Sequence, residues 1–242
     1  MQIHHIHKSY GSLEVLKDIS FEASPGKFYS ILGPTGCGKS TLLNILAGLE
    51  NQTSGEVKFQ STASLGYLLQ ESVMLPWRTL AGNIHLSAEI AGRPNQAIKA
   101  KTSHYIERLG LAGFEDYFPD TLSGGMKQRA SMIRCLITDP SVLLLDEPFH
   151  SLDFDVKLRI QDEILQYQRS NQATILMITH DIEDAIALSD KVIVLSAKPT
   201  VVKSILPIDL GLPQKDPVLA RKSERFPGYF AQLWDLLKYL EN

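Results

Sequence analysis

The chain has 242 residues, 44% of them hydrophobic and 21% charged, with a formal net charge of −3. That length accommodates one large α/β domain with a small inserted lobe, and the acidic balance offers no basic face of the kind that nucleic-acid binding favours. No apolar run approaches the roughly 20 residues that span a bilayer, the start MQIHHIHKSYG is too polar for a signal peptide, and Cys37 and Cys135 fit a reduced, cytoplasmic setting better than a disulfide framework.

Residues 1–25 alternate apolar and polar, with turn residues at YGS and SPG, which predicts antiparallel strands. His4, His5 and His7 lie there, are expected to lack carboxylate or cysteine partners, and read as structural. KFYSILG (Lys27 to Gly33) predicts a buried strand, and KSTLLNILAGL a helix with Leu42, Ile45, Leu46 and Leu49 on one face. ASLGYLLQ (Ala63 to Gln70) is a further strand. From about Leu80 to Asp139 the pattern is helical. One helix contains Leu80, Ile84 and Ala88; a second opens at Pro94 and carries Ile98, Tyr105, Ile106 and Leu109. A third is capped by Ser123 and runs through Ala130 and Ile133. SVLLLDEP, ATILMITH and KVIVLS are short apolar runs separated by helical segments, which predicts a parallel sheet. The expected organisation is a core of residues 1–71 and 140–205, a helical lobe at 72–139 and an extension at 206–242. The extension carries an amphipathic stretch (Phe230, Leu233, Trp234, Leu237, Leu240), expected to cover the core or mediate a contact, and is too short for a separate domain.

Between the strand ending at Gly33 and the helix that follows lies GPTGCGKST: Gly33, Pro34, Thr35, Gly36, Cys37, Gly38, Lys39, Ser40 and Thr41. This is the strand–loop–helix setting of a phosphate-binding loop. Its glycines let backbone N–H groups converge on phosphate oxygens, Lys39 brings positive charge, and the Ser40 hydroxyl is a ligand for Mg²⁺. The helix adds its N-terminal partial charge. Asp146 ends a buried apolar strand, where a carboxylate must meet a cation or water, so it is the expected Mg²⁺ partner. Glu147 then stands where a base for the attacking water is needed. His180 and Gln70, each at a strand end, are expected at the same sheet edge, His180 toward the γ-phosphate and Gln70 toward Mg²⁺ and water.

A second anion-binding signal, TLSGGMKQRA (Thr121 to Ala130), stands roughly ninety residues after the first. LSGGMKQRA together with GPTGCGKST and VLLLDEP resembles the nucleotide-binding subunits of ABC transporters, over almost the whole chain. The resemblance implies a P-loop NTPase fold with an N-terminal antiparallel β subdomain and an inserted α-helical subdomain. It implies ATP and Mg²⁺ as cofactors and a head-to-tail homodimer with ATP at the interface. Ser123, Gly124 and Gly125, with Gln128 in the same signature segment, then serve the ATP held by the partner chain. Tyr10 matches the aromatic that stacks on adenine, Gln70 the Q-loop, residues 151–153 (SLD) the D-loop, and His180 the switch histidine. His150 stands where a small residue is usual, and MIRCLI (Met132 to Ile137) replaces an alanine- and arginine-rich continuation. QESVMLPWRTLAGNI and THDIEDAIALSDKVIVLSAKP are similar to the importers of nitrate, aliphatic sulfonates and taurine. That implies a motor subunit peripheral to the cytoplasmic face of the membrane, joined to integral permease subunits and served by a solute-binding protein. The apolar stretch Met74, Leu75, Pro76 and Trp77, just after Gln70, places the expected permease contact near Glu71 to Trp77, the alternative being that Trp77 packs under the helical lobe. The rival, a non-transport ABC ATPase acting on nucleic acid or ribosomes, lacks support because such proteins carry coiled-coil or zinc insertions or tandem cassettes.

Overall fold

The computed structural model describes residues 1–60, 63–92, 96–150 and 152–238; Ser151, the helix start at Pro94 and Leu240 lie outside them. Two sheets form. β1 (Gln2–Tyr10) pairs antiparallel with β2 (Leu13–Glu22) and with a later strand, β4 (Ser54–Lys58), in the order β2-β1-β4. The second sheet has the order β5-β6-β7-β3-β8-β9. Its members are β3 (Phe28–Leu32), β5 (Leu65–Leu68), β6 (Val142–Asp146), β7 (Thr174–Ile178), β8 (Lys191–Leu195) and β9 (Val202–Pro207). The first five run parallel, as the long apolar runs require, and β3, β6 and β7 are buried at every residue.

Because side chains alternate across a strand, the large sheet divides the core in two. Leu143, Leu145, Ile175, Met177, Val192 and Val194 face the helices α2 (Leu80–Ile90), α4 (Gly124–Leu136), α5 (Phe154–Asn171) and α6 (Ile182–Leu188). Leu144, Leu176, Ile178, Ile193 and Leu195 face α1 (Lys39–Leu46) and the antiparallel sheet, whose Ile3, Ile6, Leu16 and Ile19 close that layer. The remaining helices are α3 (Gln96–Arg108), α7 (Pro217–Lys222) and α8 (Phe226–Lys238).

Three expectations need correction. Two of the three N-terminal histidines do have carboxylate partners, His5 Nδ1 lying 2.6 Å from Asp18 Oδ1 and His7 Nδ1 3.8 Å from Glu14 Oε1. Leu49 does not share the buried face of α1: the helix ends at Leu46, Gly48 turns the chain left-handed at φ 71°, and Leu49 is exposed. The core sheet extends past residue 205, since β9 runs to Pro207 and pairs antiparallel with β8. β4 carried no readable signal because its five residues are nearly all exposed, so no apolar alternation marks them. Beyond β9, α7 and α8 pack against α6, and Leu233 of α8 is fully buried in the core.

Candidate nucleotide site

Parallel strands deliver their C-terminal ends to one edge of a sheet, and ligands of open α/β sheets gather there. The loop after β3, Gln70 after β5, Asp146 and Glu147 at the end of β6, and His180 after β7 all reach this edge. In the phosphate loop two glycines are required by geometry. Gly38 sits at φ 114°, and a Cβ there would lie 2.7 Å from Val15 Cγ1. A Cβ on Gly33 would meet the Leu195 carbonyl oxygen at 3.0 Å, so the loop rests directly on β8. Lys39 Nζ donates to the carbonyls of Gly33 and Pro34 at 2.8 and 2.9 Å, which holds the ammonium across the mouth of the loop. Thr35, Gly36 and Ser40 are exposed. Cys37 points the other way: its thiol is buried, burial pushes its pKa up, and Thr200 Oγ1 donates to its carbonyl. Cys37 therefore belongs to the loop through its backbone, and its sulfur faces the core.

Asp146 is 3% exposed, and its Oδ1 has no hydrogen-bond partner. Burial pushes its carboxyl pKa up; the Ser40 hydroxyl bonded to it and the Lys39 ammonium oppose this, while Glu147 adds to it. A buried carboxylate oxygen without a donor beside a serine hydroxyl is a pair of hard oxygen ligands that fits Mg²⁺. Glu147 adopts a left-handed backbone, φ 50°, uncommon for a non-glycine residue and a frequent mark of functional turns. Its N–H still donates to the Ile178 carbonyl at 3.0 Å, and its carboxylate accepts from His180 Nδ1 at 2.7 Å. The glutamate side chain is 13% exposed and the histidine 71%. The ring of His150 stands edge-on to that of His180, 6.5 Å between centroids.

Other residues singled out in the sequence lie further out. Tyr10 is half exposed; its hydroxyl bonds to Glu50 and to the Thr41 side chain, and Lys8 Nζ lies 4.7 Å from its ring centroid. Ser123 caps α4 as expected, accepting from the Met126 N–H at 3.2 Å, and both Ser123 and Gly124 are exposed. Beyond its own helix turn, no atom of this chain lies within 4 Å of the place a Cβ on Gly124 would occupy. Gln128 departs from expectation. It does not share the outward face of Ser123 but is 5% exposed, accepting from Ser72 Oγ and donating to the Pro148 carbonyl at 3.4 Å. One helical residue further on than a turn rotates the side chain inward, so its amide ties the segment after Gln70 to the turn after Glu147.

Two features were missed from sequence. Asn83, fully buried, accepts from the Leu75 N–H at 2.7 Å and donates to the carbonyls of Leu75, Arg78 and Thr79, fixing the loop that carries Trp77. A polar residue on the inner face of an apolar helix was the available signal. Second, α8 lies beside the phosphate loop, where Trp234, Leu237 and Lys238 share a cavity of about 240 Å³ with Gly33, Thr35 and His180.

A phosphate loop, an Mg²⁺-type carboxylate, an adjacent glutamate and a histidine on one edge of a parallel sheet define a nucleotide-hydrolysing cassette. The family model described as "ABC transporter" matches residues 16–150. The uncharacterized ABC transporter ATP-binding protein YtlC of Bacillus subtilis is 37% identical over 100% of this chain and 96% of its own. The aliphatic sulfonates import ATP-binding protein SsuB 1 of Pseudomonas syringae pv. syringae is 40% identical over 91% of this chain and 92% of its own. The structure most informative about state is a dimer of the ATP-binding cassette MJ0796 in a post-hydrolysis state bound to ADP and Pi. Its TM-score is 0.78 at 25% identity, covering 86% of this chain and 98% of that one. The chain belongs to the ABC transporter family as an ATP-binding, ATP-hydrolysing subunit.

Proposed function

We propose that the chain is the motor of an importer for aliphatic sulfonates or closely related small anions, acting as a homodimer on separate permease subunits. The observation that carries the enzymatic part is the Glu147–His180 pair beside the phosphate loop. Backbone N–H groups of the loop and Lys39 bind the phosphates of ATP, and the α1 N-terminus adds its partial charge. Ser40, Asp146 and Gln70 would hold Mg²⁺, which would offset charge on the phosphate oxygens. Glu147 orients the attacking water and accepts its proton as the water adds to the γ-phosphorus and ADP leaves. His180 directs the Glu147 carboxylate and contacts the γ-phosphate. Tyr10 offers its free face to adenine. Ser123, Gly124 and Gly125 serve the partner's ATP; the open space above Gly124 supports this, since nothing in its own chain uses it.

Among the described residues no helix is long and apolar enough to cross a membrane, so membrane association rests on the permease, at the cytoplasmic face. Trp77 supports the docking site. It is 71% exposed rather than packed under the helical lobe, and Val73, four residues earlier, is also exposed. A solute-binding protein completes the importer. The sulfonate assignment rests on the relatives' names and is tested by uptake. Cells carrying Lys39→Ala should lose accumulation of labelled short-chain alkanesulfonates. Undiminished sulfonate uptake, with loss of another solute instead, would overturn the substrate class and leave the motor role standing.

A further inference from the structure

Behind the His180 turn the structure holds a cluster of charged side chains that none of the steps above uses. At its centre is Asp184 of α6, 1% exposed. Its Oδ2 meets Lys157 Nζ of α5 at 2.7 Å. Its Oδ1 accepts from Gln161 Nε2 of α5 at 2.9 Å and from Arg221 NH2 of α7 at 2.7 Å. Lys157 Nζ also donates to Asp181 Oδ2 at 2.7 Å. Asp181 in turn caps α6, its Oδ1 accepting from the N–H groups of Glu183 and Asp184 at 2.9 and 3.2 Å.

The placement of these groups is specific. Asp181 directly follows His180. Lys157 lies in the first turn of α5, with its N–H bonded to the carbonyl of Asp153 at 2.8 Å. One ammonium thus joins the start of the helix after the switch histidine to the start of the helix after the D-loop. Arg221 enters from the C-terminal segment and completes the coordination of Asp184. A cavity of about 140 Å³ runs from this cluster to the site, lined by Glu147, His150, Lys157, His180, Asp181 and Asp184.

Stability alone is a poor reason for such a cluster. Apolar residues of similar volume join helices as well or better, because buried charges lose hydration that their pairing only partly restores. What an ionic cluster centred on one buried carboxylate does supply is a restricted geometry, here with both Asp184 oxygens occupied although Arg221 Nε makes only a 3.7 Å contact with Glu183. We propose that Arg221 is a positioning residue for His180, so that the C-terminal segment sets the geometry of the Glu147–His180 pair. With Arg221 neutralised, Asp184 keeps only Lys157 and Gln161. The Lys157 ammonium is then drawn toward Asp184 and away from Asp181, the cap of α6 slackens, and His180 loses its fixed approach to Glu147.

The inference rests on the catalytic role of His180 assigned above, and the two are separable by experiment. Full-length protein with ¹⁵N-labelled histidine is compared as wild type, Arg221→Gln, Arg221→Lys and Leu233→Ala. The last removes buried packing of α8 without touching the cluster. Arg221→Gln should lower kcat for ATP about 5- to 30-fold, leave KM for ATP within about twofold, and displace the His180 ring-nitrogen signals. Arg221→Lys, which keeps the charge, should recover a large part of both. His180 signals unmoved in Arg221→Gln, or kcat falling only in step with Tm as in Leu233→Ala, would overturn the proposal. If Arg221→Gln does not fold, Arg221→Lys carries the same readouts, and native kcat with native His180 signals there would count against it. Full turnover in His180→Gln would remove the catalytic role of His180 while leaving the NMR comparison to decide the positioning.

Discussion

Glu147 and His180 meet at 2.7 Å although 33 residues separate them in the chain. The cause is strand register. β6 and β7 pair in parallel with Asp146 opposite Ile178, so Glu147 leaves the sheet one residue beyond that level and His180 two. The left-handed turn at Glu147 then swings its carboxylate across the end of β7. A base held by a neighbour's ring donor has a defined direction, which a carboxylate on a free loop lacks.

Glu147→Gln should bind MgATP but hydrolyse it about 10²- to 10⁴-fold more slowly, the usual worth of a positioned general base. It should also accumulate as an ATP-bound dimer, because a neutral amide removes repulsion against the γ-phosphate. Single-turnover hydrolysis and size-exclusion chromatography with ATP measure both. Near-normal turnover would take Glu147 out of the role.

Trp77→Ser should uncouple ATPase activity from transport with little loss of stability. At 71% exposure the indole makes few contacts to lose, and substitutions at such positions stay within about 0.5 kcal/mol. Its loop stays in place because Asn83 holds the backbone rather than the tryptophan. Thermal melts and transport assays in permease-containing vesicles decide it. A large drop in Tm with coupling intact would return Trp77 to a packing role.

Lys39→Ala and Ser123→Arg should each abolish activity, and a mixed dimer should regain part of it. If sites are shared, a mixed dimer has one site with both defects and one with neither, and equal mixing makes about half the dimers mixed. Covalently linked dimers with both defects in one site, against one defect in each, give the sharper contrast. Gly124→Ala is a companion: the added methyl meets nothing in its chain beyond its own helix turn, so Tm should hold while ATP-driven dimerisation weakens. Equal ATP occupancy and closure in both linked dimers would rule out a trans role for Ser123.

Asp190 anchors the start of β3. It accepts from the Phe28 N–H at 2.7 Å and pairs with Lys215 at 2.7 Å and Lys27 at 3.4 Å. Burial pushes its carboxyl pKa up, but Lys215, the Phe28 N–H and Lys27 outweigh burial and hold it below the usual carboxylate range. Its folded value thus lies below its unfolded one. Its contribution is fully present above the unfolded pKa and disappears as pH falls through the folded pKa. Asp190→Asn should cost about 1.5–3 kcal/mol at neutral pH, the worth of hydrogen bonds to a charged group. The gap from wild type should narrow as pH drops below about 4. Denaturant melts across that range check it, and a gap independent of pH would refute the charge-based account.

Much of the molecule was legible because it is written in contiguous residues. The apolar runs of β3, β6, β7 and β8, the glycine loop between β3 and α1, the Ser123 cap of α4 and the acidic end of β6 are all local patterns. Backbone sterics and hydrogen-bond demand act over a few residues, so the chain itself determined them. The edge strands β4 and β9 were not legible as such, since β4 is nearly all exposed, β9 is exposed at alternate residues, and their pairing comes from β1 and β8.

What tertiary structure alone decided is which way side chains face and what they meet. Gln128 turns inward to Ser72 and Pro148, Trp77 turns outward, and α8 settles beside the phosphate loop. Arg221 reaches Asp184 across 37 residues, and Glu147 finds His180 through the register of two strands. The physical reason is common to all of them. A side chain's direction and partners depend on surfaces brought together from distant segments, and the free energy of those contacts exists only once both surfaces are in place.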